Sequence, residues 1–259
     1  MATVSIAFAI ACSLTSLDGL SGGAAPGEAG AEAGPRDAAL DTSLDAPTGS
    51  EASADAASFC ASAPAGAFCD DFENGLSKWE IDTSNGNTFI IDDKSSVSSS
   101  HSATPMKSSS STCLRRGFPG SPQTIEVDAD VRFDAVASSG NYDFLGLRGS
   151  DDRNLTLQVQ GGLIELDQDI PVAVDGGPDE QITPTGYGVD SAWHHIRWTN
   201  HLTGSTADVE VFVDGTKIGG MVVNVLDFAS PLSLQVGDCE SLSGSPWKVR
   251  FDNVVVVTK

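Results

Sequence analysis

From Ile125 to Phe133 every odd position carries an apolar side chain, and every even position between them, from Glu126 to Arg132, carries a charge. Successive side chains of a β-strand point to opposite faces, so this run specifies a strand with one dry face and one wet face and is incompatible with an amphipathic helix. The same period of two returns in Leu155–Val159, Val209–Val213 and Leu232–Val236, and no stretch of comparable strength shows helical spacing. The fold expected is all-β: a two-sheet antiparallel β-sandwich.

The sandwich cannot include the whole chain of 259 residues. Between Ser21 and Ala57 there is no Phe, Trp, Tyr, Ile or Val, and the composition is mostly Ala, Gly, Glu, Asp, Pro and Ser. Such a segment has too little apolar surface to offset the backbone entropy of ordering, so residues 21–57 read as a disordered acidic tether. The sandwich is expected over residues 58–259, a length that suits one all-β domain. The net charge is −22, of which the first 57 residues hold eight acids and one base, leaving −15 on the body. A field of that sign repels phosphate, which argues against nucleic acid and anionic membrane surfaces as partners.

Met1 to Ala11 is apolar and leads into Cys12 through Ala9, Ile10 and Ala11, a string that resembles a bacterial lipobox. The resemblance implies a signal segment over residues 1–20 and lipid attachment at Cys12, with any membrane contact made through that anchor. Ala9 stands where the family prefers Leu, and the segment lacks the basic start of a signal peptide, which a mis-assigned start codon would explain; the alternative is an ordinary signal peptide cleaved near Ala25. No later segment reaches the ~20 apolar residues of a spanning helix. The expected location is therefore outside the cytoplasm, on the cell surface, on the outer membrane or secreted. Without Cys12 the chain keeps Cys60, Cys69, Cys113 and Cys239, an even number that in an exported chain reads as two disulfides. Of the three connectivities, Cys60–Cys69 with Cys113–Cys239 is expected, because the first closes a small Ala/Ser/Pro loop and the second joins an early segment to a late one, as neighbouring strands of a sandwich do. A zinc site would need close CxxC-type spacing that these cysteines lack.

Within the body, a short strand is expected at Thr88–Ile91, a long exposed loop over the Ser-rich residues 95–111, a two-residue hairpin turn at Asp214–Gly215, and a terminal strand covered on both faces where Val254 to Val257 run without a polar interruption. Cys69 to Glu73 with Trp79, then Trp193 to Trp198 followed by Val209 to Gly215, and finally Phe251 to Val256 resemble a concanavalin A-like, laminin-G-like jelly roll over residues 68–259. Members of that superfamily are lectins, adhesion modules, glucanases and polysaccharide lyases, so the resemblance implies a fold and leaves the function open.

The resemblance also implies places to look for chemistry. Glucanases of the superfamily carry alternating acids on one strand, and the nearest candidate is Glu126, Asp128 and Asp130; Val131 interrupts that pattern, and the three acids are equally the wet stripe of an amphipathic strand. His194 and His195 are consecutive on a strand, so they face opposite sides and cannot work as a pair. No serine-nucleophile signature occurs. Related jelly rolls often hold a structural calcium between the first and last strands, and Asp71, Glu73 and Asp252 match by position as hard oxygen donors. Most tryptophans are expected in the core, whereas Tyr142 and Tyr187 lie in loop-like sequence and are the expected exposed rings for stacking on sugar. These readings converge on an exported, monomeric, non-catalytic module that binds a glycan or a surface protein. The alternatives are a glycoside hydrolase or lyase of the superfamily and a structural envelope protein.

Overall fold

The structure, a computed structural model, describes residues 58–82, 88–98, 101–105, 112–149, 154–169, 180–203, 206–224, 232–239 and 247–259. The chain divides into two units, Met1–Ser50 and Glu51–Lys259, and all described residues belong to the second. The expectations for residues 1–57, including Cys12, lie outside them. A single 3₁₀ turn, Phe59–Ser62, precedes the strands β1 (Phe68–Asp70), β2 (Glu80–Asp82), β3 (Phe89–Asp92), β4 (Ser102–Pro105), β5 (Cys113–Phe118), β6 (Thr124–Ala135), β7 (Asn141–Arg148) and β8 (Asn154–Gln160). They continue as β9 (Leu163–Asp169), β10 (Glu180–Gly188), β11 (Trp193–Thr203), β12 (Thr206–Val213), β13 (Thr216–Asn224), β14 (Leu232–Val236) and β15 (Lys248–Thr258). Among the described residues no helix is long and apolar enough to cross a membrane.

The strands form two antiparallel sheets. One runs β13-β12-β11-β6-β15-β4-β3, with β1 also paired to β15, and the other runs β10-β9-β8-β7-β14-β5-β2. Their inner faces meet in one core, in which Trp198, Trp247, Phe72, Phe144 and Phe251 are fully buried. The Phe133 and Phe144 rings, one from each sheet, meet edge to face with centroids 5.4 Å apart. Each buried large side chain of this kind contributes about 1.5–3 kcal/mol relative to exposure.

The period of two in β6 places Ile125, Val127, Ala129, Val131 and Phe133 in that core. At the β12–β13 hairpin Asp214 and Gly215 have φ of 50° and 77°, the left-handed pair that a two-residue turn requires. The valine run of β15 is covered on both sides, as its lack of polar interruptions demands. A bulge between Asp252 and Val255, where Asn253 takes φ of 51°, turns Val254 and Val256 into the core and Val255 and Val257 outward. There the outward valines meet Phe59 and Pro64 of the amino-terminal segment across a cleft of about 420 Å³. That segment is stapled by Cys60–Cys69, and Cys113–Cys239 ties β5 to the residues after β14, so both disulfides have the expected connectivity.

The Ser-rich stretch departs from expectation. It contains β4, paired between β3 and β15, with Ser102, Ala103 and Thr104 buried. Small hydroxyl side chains allow this because they return their hydrogen bonds to the backbone: Ser102 Oγ donates to the Ser95 carbonyl at 2.6 Å and Thr104 Oγ1 to that of Val249 at 2.8 Å.

Candidate functional site

The outward face of the β6-centred sheet is a lattice of ion pairs. His195 places Nδ1 2.9 Å from Asp130 and Nε2 3.2 Å from Asp128, and Asn253 Nδ2 donates to the other oxygen of Asp130 at 2.7 Å. The hydrogen bonds to Asp128 and Asp130 raise the imidazole to about 10, so it is charged at neutral pH. Arg250 Nε donates to Asp134 at 2.7 Å and Nη1 to Asp92 at 2.6 Å, with the guanidinium almost fully buried. Asp128 and Asp130 are therefore taken up by the fold, and the acidic stripe of β6 is the wet face of a strand.

His194 turns to the opposite side, as strand geometry demands. Its Nδ1 lies 2.8 Å from Asp214 and its Nε2 3.0 Å from Asp190, with the Tyr187 ring edge-on at 5.9 Å. Burial lowers the affinity of this imidazole for its proton, and the two carboxylates outweigh burial, so His194 is held above the ordinary histidine value. Sequence reasoning gave the opposite orientations but identified neither pair of carboxylate partners. Each histidine has both ring nitrogens engaged, which leaves neither free as a general base.

The second sheet is built differently. Its register aligns three rows of side chains directed away from the core. One row runs Ile182, Asp167, Thr156, Gly146, Gln235, Arg115, Glu80. A second runs Pro184, Glu165, Gln158, Asp143, and a third Asn154, Arg148, Ser233, Gly117. The alternating partners Leu155, Leu157, Val159, Ile164, Leu166 and Leu234 fill the core. Outward polar side chains of a sheet normally meet water, yet Thr156, Gln158, Glu165, Asp167, Asn154 and Gln235 are each between 1% and 8% exposed. This face is recessed.

Buried groups on this face lack what burial normally demands. Glu165 Oε2 and Gln235 Nε2 are buried and have no hydrogen-bond partner among the described residues, although native proteins satisfy nearly every such atom. Burial raises the Glu165 carboxyl above its ordinary value. At the centre of the first row stands Gly146, where an added Cβ would lie 3.2 Å from Gln235 Oε1 and 3.4 Å from Thr156 Cγ2. The glycine keeps the middle of the face low. Hydroxyl, carboxylate and amide groups packed around this glycine can accept and donate hydrogen bonds, and Glu165 Oε2 and Gln235 Nε2 are the ones left to be completed by a ligand.

The residues expected to form sites lie elsewhere. Tyr142 was expected as an exposed ring, but it is 2% exposed and packs on Trp247 at 5.4 Å between centroids. The bulge between Asp143 and Leu145 turns it inward, which a loop-like reading of its neighbours could not anticipate. Tyr187 lies within β10, partly buried against the core and edge-on to His194.

The structure does not gather Asp71, Glu73 and Asp252 into one ligand set. Ser58 Oγ donates to Asp71. Glu73 accepts the His101 amide at 2.9 Å and sits 2.7 Å from His101 Nδ1. Asp252 accepts the amides of Val97 at 2.8 Å and Ser98 at 3.0 Å, and burial pushes its carboxyl up to about 6. Glu73 is thus engaged by His101, and Asp252 by the amides of Val97 and Ser98 and the Ser98 hydroxyl, donors of hydrogen bonds where calcium would take the carboxylate oxygens. No group of three or more His, Cys, Asp or Glu among the described residues has the arrangement of a metal site.

No protein-family model matches the sequence, and no curated protein matches it. Solved structures do. The chain aligns with the cellulose-induced protein Cip1 at a TM-score of 0.54 and 17% identity, over 74% of this chain and 97% of that one. It aligns with a sialidase at 0.52 and 12% identity, over 74% of this chain and 18% of the sialidase. At these identities the likeness shows the fold alone, a two-sheet antiparallel β-sandwich.

Proposed function

We propose that this chain is a glycan-binding module whose ligand lies on the recessed face formed by β7, β8, β9 and β14. The observation that carries the reading is the pair of buried, unpartnered groups Glu165 Oε2 and Gln235 Nε2 in a face of otherwise shielded polar side chains. A fold retains such groups at a cost unless something completes them. The cellulose-induced neighbour and the two disulfides support an exported protein that meets polysaccharide. Attachment through Cys12, with the body acting as a monomer, belongs to the same proposal. Retention of the full chain on insoluble polysaccharides tests it: Gln158→Ala combined with Asp167→Ala should release the protein, and equal retention of that variant would place the ligand elsewhere.

Hydrolysis is the second reading. It is favoured by one observation, the burial-raised carboxyl of Glu165 two residues from Asp167 on the same strand face, since glycosidases divide acid and base or nucleophile roles between two carboxyls. Reducing ends released from a bound polysaccharide, and lost in Glu165→Gln, would move the protein into that class. A surface-protein partner or a structural envelope role would be indicated instead by failure to bind any glycan together with a specific crosslinked protein. Calcium is proposed only beside Asp252, where a cation would relieve the burial of an ionised carboxylate; a melting temperature unchanged between millimolar calcium and a chelator would remove it.

A further inference from the structure

Glu165 and Gln235, each with a buried polar atom that no described residue completes, stand far apart on the recessed face. Glu165 is aligned with Gln158 and Asp143, whereas Gln235 is aligned with Gly146, Thr156 and Asp167. They are therefore three strands apart, from β9 to β14, and two residues out of register, which at ordinary strand dimensions separates their Cα atoms by about 16 Å. Outward side chains stand roughly perpendicular to a sheet, so leaning closes only part of that interval. Glu165 also borders an apolar shelf. Pro184 lies opposite it on β10, Leu163 stands two residues before it on β9, and Ile182 is the outward neighbour of Pro184. Leu163 and Ile182 are 40% and 39% exposed, although the carboxyl beside them is buried.

Resting on the glycan-binding reading, we infer that this face takes a stretch of three or more linked sugars lying across the strands from β10 to β14, anchored by Glu165 at one end and Gln235 at the other. Glu165 Oε2 accepts a hydroxyl hydrogen, and Gln235 Nε2 donates to a hydroxyl or ring oxygen. One pyranose ring is too short to complete both, so a monosaccharide leaves at least one buried group unsatisfied and forgoes that gain. Bridging them takes two linked rings or more. The shelf of Leu163, Pro184 and Ile182 takes the C–H face of a further ring by apolar contact. Affinity therefore rises in a step with chain length, because a chain held at the first anchor meets the second as an intramolecular event.

Affinity electrophoresis of the full chain tests this, in gels carrying hydroxyethylcellulose, xylan or β-1,3-glucan, with the matching oligosaccharides of one to six sugars as competitors. At least one polysaccharide should retard the protein. Its trisaccharide and longer fragments should compete at least about tenfold better than its monosaccharide, the factor expected from one further hydrogen bond to a buried group. Glu165→Gln and Gln235→Leu, each checked for folding by its melting temperature, should both lower that ratio toward one. A variant that merely unfolds would instead lose fragments of every length together. Ile182→Ser, at an exposed position that the fold tolerates, should weaken the longer fragments several-fold and leave the monosaccharide unchanged. Equal competition by monosaccharide and hexasaccharide, or a length ratio untouched by both Glu165→Gln and Ile182→Ser, would overturn the inference and leave glycan binding standing. No retardation in any gel would remove the glycan-binding reading and this inference with it.

Discussion

Replacing Glu165 by glutamine should stabilise the protein while weakening its grip on glycan. The side chain is 8% exposed and its Oε2 has no partner among the described residues. A buried polar atom left unsatisfied costs about 1–3 kcal/mol, and an ionised carboxylate lies toward the upper end. Glutamine keeps the shape and removes the charge but leaves an amide that is still incompletely bonded, so about 1–2 kcal/mol should be recovered at neutral pH. For a domain of this size about 2–4 °C accompanies each kcal/mol, which predicts a melting temperature higher by roughly 2–8 °C. The sign of the pH dependence follows from burial, which raises the folded carboxyl above the ordinary 4.5. The folded wild type binds this proton more tightly than the unfolded chain, so the wild type loses stability as pH rises through that interval. The advantage of glutamine should therefore be full at neutral pH and disappear once the pH falls below 4.5. Urea denaturation of both proteins across that range, with m-values compared, measures it. A glutamine variant that is less stable at neutral pH, or an advantage that does not change with pH, would refute the reasoning that Glu165 is left unsatisfied for a ligand.

Arg250→Met should cost about 3 kcal/mol by urea denaturation, because it leaves Asp92 without its cation beside a site where the guanidinium side chain is only 5% exposed, whereas Asp134 keeps Arg132 and Lys248; replacing Lys217, which forms an exposed pair with Glu210, should shift the urea midpoint far less. The His195 imidazole, raised to about 10, contributes stability that is complete below its unfolded value of 6.5 and is lost as pH rises toward 10, so the alkaline fall in melting temperature should be shallower in His195→Gln than in the wild type. Replacing Cys113 and Cys239 together should cost about 2–5 kcal/mol in a denaturant titration, through the loop of 126 residues that the bridge closes.

The sandwich itself was legible because strand periodicity, hairpin turn chemistry and cysteine count are local signals. Ile125 to Phe133, Asp214–Gly215 and the two disulfides needed only neighbouring residues or an even count. The candidate site was not legible, for a reason visible in β8 and β9. Leu155, Leu157 and Val159 alternate with Thr156 and Gln158, and Ile164 and Leu166 alternate with Glu165 and Asp167, as in any strand with a wet face. A two-letter pattern distinguishes polar from apolar, but it does not say whether the polar side is open to water or recessed. Glu126 to Asp130 and Glu165 to Asp167 therefore look alike in sequence, and only the structure shows that His195 and Asn253 engage Asp128 and Asp130 while Glu165 Oε2 is buried without a partner. Tyr142 failed for the complementary reason: one bulged residue reverses which side of a strand its ring takes.

The Cys113–Cys239 bridge makes the intervening chain a covalent ring. Strands β6 to β14 all lie between the two sulfurs, including the four that form the recessed face. A protease that cuts any one loop inside this ring therefore opens it without releasing a fragment, and both new ends stay tethered to the strands that hold the rest of the sheet. Nicked protein would run as one species without reductant and as two pieces with it, and would keep its ligand face assembled through damage that would divide an unbridged chain.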